Sequence, residues 1–208
     1  MGSKAYKVVE EFEEALCEYT KAPYAVTVAS CSAAIFLCLQ RFKYLNTHVS
    51  TISVPKRTYP SVAHAVYHCG LKIRFTDEKW QKRGYYELYP LPIVDSAKLM
   101  QKDMYLKGDL MGMMVCLSFH SKKHIKIGRG GAILTENKAD AEWFKVARFD
   151  GRHQKPLHKD KLAFPGWNEY MLPEQAARGL EMLQFMGNGG VLPPDPYIDL
   201  SKYAFYHK

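Results

Sequence analysis

Ser118-Phe119-His120-Ser121-Lys122-Lys123-His124-Ile125-Lys126-Ile127-Gly128-Arg129-Gly130-Gly131-Ala132 is the stretch on which the fold turns. An apolar run, Met113-Met114-Val115-Cys116-Leu117, leads into it, and a second, Ala132-Ile133-Leu134-Thr135, leaves it. The pattern predicts strand, loop with serine and lysine, glycine turn, strand. A lysine held between two buried strands is partly desolvated, which lowers its pKa and frees its amine for carbonyl chemistry. Upstream, Asp95 follows the short apolar stretch Leu91-Pro92-Ile93-Val94. An amine and a carboxylate, each at the end of a short strand, are the two protein groups that a pyridoxal phosphate site requires.

Working outward, helices and strands alternate. Val9, Phe12, Leu16 and Tyr19 set a helical period over Tyr6 to Tyr19, and Ala25 to Ala29 reads as a strand. Ser30-Cys31-Ser32 can cap a helix running to about Phe42. Thr51 to Val54 and Leu71 to Phe75 read as strands around a helix from Tyr59 to His68 that Gly70 ends. Ile93-Val94, Met113 to Ser118 and Ala132 to Thr135 are further strands, and Ala139 to Arg148 and Leu172 to Phe185 further helices. Such alternation implies a parallel or mixed sheet covered by helices, with sites at the strand C-terminal ends; the expected class is α/β, three α/β/α layers around a mostly parallel sheet. Met186 to Pro196 breaks the pattern. The expected division is a large cofactor-binding domain over 1–186 and a Gly/Pro-rich linker with an aromatic tail over 187–208.

The 208 residues, 47% of them hydrophobic, suffice for one domain with a sizeable core. No apolar run approaches the ~20 residues of a membrane helix, and the start Met1-Gly2-Ser3-Lys4 does not read as a secretory leader. Five cysteines without CxxC spacing (Cys17, Cys31, Cys38, Cys69, Cys116) suggest small buried hydrophobes in a reducing cytoplasm. The net charge of +8 is scattered and not interleaved with aromatics, so no nucleic-acid partner is expected. His64 and His68 lie four apart on a helix, but no acidic third ligand is near them in sequence, and no metal is expected.

Ser118-Phe-His-x-x-Lys123, followed by Gly128-x-Gly-Gly131, resembles the lysine segment of sugar aminotransferases of the DegT/DnrJ/EryC1/StrS type. Further resemblances follow in order. Phe12-Glu13 to Ala33-Ala34 is similar to the family's first helix, strand and Ser-Gly-Thr turn. Val54-Pro55-x-x-Thr58-Tyr59 resembles its Pro-x-x-Thr-aromatic segment, and Val94-Asp95-Ser96-Ala97 its Glu-Asp-x-Ala strand end. Gly166-Trp167-Asn168 through Gln175-Ala176-Ala177 resembles its Gly-Tyr-Asn helix opening.

The resemblance implies the large domain of a fold-type-I pyridoxal phosphate enzyme, without the small C-terminal domain. It chooses Lys123 over the neighbouring Lys122 as the cofactor's covalent anchor and proton carrier. Asp95 would pair with the pyridinium nitrogen, and Tyr59 would stack on the ring. Ser30, Cys31 and Ser32 would hold the phosphate at a helix start, with Ser118 adding a hydroxyl. Lys98 stands where the family carries Gln or His toward the cofactor's phenolic oxygen. Asn168 would reach the phosphate in a neighbouring subunit, which implies a homodimer with shared active sites.

Some positions depart from the family's pattern. Cys31 and Ser32 replace glycine and threonine, Glu169-Tyr170-Met171 stands where an arginine follows the asparagine, and Trp80 to Pro92 replaces a strand, a helix and a His-x-x-Gly turn. The implied activity is amino transfer, with glutamate as donor, to a nucleotide-linked keto-deoxysugar in deoxysugar or polysaccharide biosynthesis. The alternative is a cofactor or nucleotide-sugar binder, or a dimerisation partner, that does not turn over.

Overall fold

A computed structural model of the chain describes residues 4–207. The Met1-Gly2-Ser3 start, read above for a leader, lies outside them. The elements are α1 (Lys7–Thr20), β1 (Tyr24–Val28), α2 (Cys31–Tyr44), β2 (Thr51–Pro55), α3 (Pro60–His68), β3 (Lys72–Thr76), β4 (Tyr86–Glu87), β5 (Ile93–Asp95), β6 (Leu99–Gln101), β7 (Met114–Ser118), β8 (Gly131–Thr135), α4 (Lys138–Ala147), α5 (Pro173–Gln184) and β9 (Gly189–Val191).

The central sheet runs β1-β8-β7-β5-β4. Only β5 and β7 pair in parallel; β1–β8, β7–β8 and β4–β5 are antiparallel. The α/β class holds, but the sheet is mixed rather than mostly parallel. The reason is local. Ser118 to Gly130 turns back on itself, so β8 returns against β7, and the Trp80–Pro92 link delivers β4 as a short hairpin arm on β5. The parallel pair β2–β3 joins this edge, with the Ser53 N–H donating to the Tyr89 carbonyl at 2.8 Å.

Strand periodicity sends alternate residues to the two faces. Val26, Val28, Ile93, Met114, Cys116 and Ile133 pack under α2, α3 and α4. Ala25, Val94, Val115, Leu117, Ala132 and Leu134 face α1 and α5. The expected three layers are therefore present. Helix α1 turns Val9, Phe12 and Leu16 inward, and Phe12 lies so close to α5 that a Cβ on Gly179 would stand 2.6 Å from its ring. Glu13, on the same face, accepts from Thr27 N at 2.8 Å and Thr27 Oγ1 at 2.9 Å, and pairs with the buried guanidinium of Arg148. This network joins α1, β1 and the end of α4.

The segment expected as linker and tail lies back on the domain. Strand β9 pairs with β6, Tyr197 stacks on Trp80, and Leu200 and Tyr206 bury against Ala63. Among the described residues no helix is long and apolar enough to cross a membrane.

Candidate active site

The C-terminal ends of β5 and β7 and the N-termini of α2 and α3 converge on one cavity of about 580 Å³. That lies within the few hundred to ~1,000 Å³ usual for small-molecule sites. Its walls include Ser30, Cys31, Ser32, Tyr59, Asp95, Ser118 and Lys123. These seven residues, up to 93 positions apart in sequence, thus share a single space.

Each is placed by its element. Ser30 caps α2, its hydroxyl accepting from Ala33 N at 3.0 Å. Gly131, the first residue of β8, makes this turn possible. A Cβ there would sit 2.6 Å from Cys31 N and 2.8 Å from Leu117 O, so any larger residue would drive β8 away from the start of α2. Ser32 Oγ lies 2.6 Å from Ser61 Oγ, which joins the first turns of α2 and α3. Both helix starts therefore face the cavity, where free N–H groups and the helix dipole favour an anion. Tyr59 is 62% exposed, which leaves its ring free for an occupant.

Asp95 ends β5 and is 5% exposed. Its Oδ2 accepts from Tyr86 OH at 2.6 Å and its Oδ1 from Ala97 N at 2.9 Å, with Cys31 Sγ 3.9 Å away. Burial pushes its pKa up, and the Tyr86 and Ala97 bonds and the charge of Lys123 act in the opposite direction. Lys123 follows β7 in a turn closed by its N–H to His120 O at 2.8 Å. Burial lowers its amine's pKa, Asp95 opposes that, and the nearby Lys98 cation adds to it. Lys122 also lines the cavity but is exposed. The two lysines thus differ in burial, Lys123 being the less exposed.

Two expected positions lie elsewhere. Lys98 is 2% exposed and turns to Asp195, donating from Nζ to Oδ2 at 2.6 Å. Asn168 does not line its own chain's cavity; its amide donates to Asp150. His64 and His68 sit on α3 with ring centroids 6.4 Å apart, and His64 stacks on Tyr206.

Several lining or supporting residues escaped the sequence reading. Ser61 and Arg129 carry no local signature. Asp195, Pro196, Tyr197 and Ile198 reach the cavity from the far end of the chain. Tyr86 could have been suspected only from the aromatic bias of the Trp80–Pro92 link.

The profile of the DegT/DnrJ/EryC1/StrS aminotransferase family matches residues 2–82 and 107–187. The chain belongs to this family. A curated relative, the UDP-4-amino-4,6-dideoxy-N-acetyl-beta-L-altrosamine transaminase of Campylobacter jejuni, is 25% identical over 217 aligned positions, covering 86% of this chain and 57% of that protein. The chain thus spans just over half the length of the curated relatives it matches. Among solved structures, a DegT/DnrJ/EryC1/StrS aminotransferase from Brucella abortus superposes with a TM-score of 0.69 at 19% identity, over 86% of this chain and 58% of that one. PseC from Helicobacter pylori, an aminotransferase of pseudoaminic acid biosynthesis, gives 0.68 at 19% identity, over 89% and 64%. These likenesses establish the fold. Asp95, Lys98 and Tyr86 all fall in the unmatched stretch between the two family blocks.

Proposed function

We propose that the protein is a pyridoxal phosphate-dependent aminotransferase that moves an amino group, with glutamate as donor, onto a nucleotide-linked keto-deoxysugar. The observation that carries this reading is the meeting of Lys123 and Asp95, from two different strand ends, in one cavity bordered by two helix N-termini. The donor set fits the cofactor. The α2 start with Ser30 and Ser32, together with Ser118, suits a phosphate; Tyr59 offers a ring face; Asp95 suits a protonated ring nitrogen; Lys123 offers an amine. The nucleotide-linked sugar follows the name of the curated relative and glutamate follows the family resemblance of the sequence, since a fold alone does not fix a substrate.

Bound pyridoxal phosphate would supply an electron sink for charge developing on the amino-bearing carbon. Lys123 Nζ, with its basicity reduced by burial, would take the proton from that carbon and deliver it to the former carbonyl carbon, the 1,3-shift that amino transfer requires. Asp95 keeps a positive ring nitrogen favourable. The helix starts and their hydroxyls hold the phosphate and so fix orientation. Asn168, turned away from its own cavity, serves the partner's in a homodimer. The five free cysteines suit a reducing compartment, for which we propose the cytoplasm.

Protein incubated with pyridoxal phosphate should develop a long-wavelength absorbance band that borohydride removes and excess glutamate discharges. Lys123→Ala should develop none. A missing band, or one that survives in Lys123→Ala, overturns the reading. A band that glutamate never discharges replaces amino transfer with binding alone.

A further inference from the structure

Asp95 is held from behind. Tyr86, on β4, is fully buried and donates its hydroxyl hydrogen to Asp95 Oδ2 at 2.6 Å. A phenol has one hydrogen to give, so the contact of 2.7 Å with Thr58 Oγ1 must be Thr58 donating to the Tyr86 oxygen. Thr58 is itself 1% exposed. The result is a directed chain, Thr58 to Tyr86 to Asp95. Such chains polarise their members in a low-dielectric interior, and 2.6 Å is the length expected of an O–H donor on an ionised carboxylate. The ring of Trp80 packs on Tyr86 at 4.9 Å, and Trp80 Nε1 is fastened to Arg57 O at 3.0 Å, so the phenol has little freedom to swing away. Tyr86 belongs to the stretch that the family profile leaves unmatched, and Thr58 belongs to the matched part. The Trp80–Pro92 link is therefore more than a shortcut between β3 and β5.

We propose that Tyr86, backed by Thr58, is a positioning residue for Asp95: it keeps the carboxylate ionised and aimed into the cavity. Without this donor, burial would favour the protonated acid, which cannot stabilise a positive ring nitrogen. The other groups facing Asp95 are Cys31 on α2, Cys116 on β7, Lys123 after β7 and Tyr197 of the C-terminal segment. Of these only Lys123 carries a positive charge. Tyr86 is the shortest contact to Asp95 and comes from the side away from Lys123's loop. The catalytic consequence rests on the reading that Asp95 serves the ring nitrogen; the effect on the carboxylate does not.

The test separates the two. In cofactor-free protein, the infrared carbonyl band of protonated Asp95 is followed against pH and assigned by its loss in Asp95→Asn. Tyr86→Phe should move its midpoint upward by about one pH unit or more. Tyr86→Phe/Thr58→Val, which removes the stranded threonine hydroxyl, should do the same and guards against misfolding of the single variant. An unmoved midpoint in a folded variant overturns the proposal. In protein loaded with pyridoxal phosphate, Tyr86→Phe should slow discharge of the band by glutamate about tenfold or more, leaving the half-saturating glutamate concentration within about twofold. A shifted midpoint in protein that takes up no pyridoxal phosphate leaves Tyr86's role standing and removes the proposed function. A shifted midpoint with an unchanged discharge rate overturns the catalytic part.

Discussion

Lys98 Nζ and Asp195 Oδ2 lie 2.6 Å apart, so a lysine with almost no exposure joins the stretch after β5 to the chain's C-terminal segment. The same segment is held again by Gln81, which bonds the backbone N–H and C=O of Asp195 at 2.8 and 3.1 Å, while Tyr197, within the segment, donates to Asp195 Oδ2 at 3.1 Å. Asp195→Ala should strand the Lys98 ammonium and cost about 1–3 kcal/mol in denaturant unfolding at pH 7. Lys98→Met/Asp195→Ala should cost less, because the unpaired charge goes too. The Lys98 bond holds the Asp195 carboxyl below its usual pKa. A depressed acid contributes stability above its unfolded value and loses it as pH falls through the folded one. The difference between wild type and Asp195→Ala should therefore shrink in acid.

Asp95 behaves in the opposite way. Its pKa is raised by burial, so its contribution to stability is present below the unfolded value and lost as pH rises through the folded one. Cofactor-free Asp95→Asn should be more stable than wild type at pH 7 by about 1 kcal/mol, the trade common where a site is built for function. That gain should vanish at acid pH. Its glutamate discharge should fall by orders of magnitude, since each ~1.4 kcal/mol lost from the transition state is about tenfold in rate. Lys98→Gln should alter rate and spectrum far less.

Glu13 and Arg148 form a buried pair with Thr27 between them. Glu13→Ala should destabilise by about 3–5 kcal/mol through the uncompensated guanidinium. Thermal or denaturant unfolding measures this. A loss near zero would mean that water enters to solvate the guanidinium in place of the carboxylate.

The Lys123 amine, with its pKa lowered by burial, should lose its proton at a lower pH than the surface lysines. Peptide-mapped acylation of cofactor-free protein across pH should place its half-maximal rate below that of Lys122. Equal profiles for the two would deny a desolvated amine.

Shared sites predict complementation. If Lys123→Ala and Asn168→Ala each abolish turnover, mixed dimers carry one site with both lesions and one with neither, so re-associated equal mixtures should recover about a quarter of wild-type activity. Sedimentation as a loaded 23.8 kDa monomer would rule out such sharing.

The long elements were legible because their periods are strong. The Val9–Phe12–Leu16 stripe, the Ser30 cap and the apolar runs on either side of Lys123 each carry their own signal. Strands β4, β6 and β9 have two or three residues, too few to show a period, and Gly189-Gly190 reads locally as a breaker rather than as an edge pairing. The antiparallel return of β8 was illegible because a loop's direction is set by tertiary packing. In the site, Lys123 and Ser30 announced themselves through neighbours in sequence. Tyr86 and Asp195 act on residues 9 and 97 positions away, and no short motif encodes such a meeting.

The contact of Gly131 with the Ser30–Cys31 backbone has one more consequence. It is backbone against backbone, and Gly131 also abuts the Leu117 carbonyl on the strand that leads to Lys123. The helix start that would grip an anion and the strand that leads to the amine are thereby seated against one another. Their separation acts as a gauge. A molecule must span the interval from anionic group to reactive carbon at the right length before any side chain selects it by chemistry, and pyridoxal lacking its phosphate would have nothing at the far end to measure with.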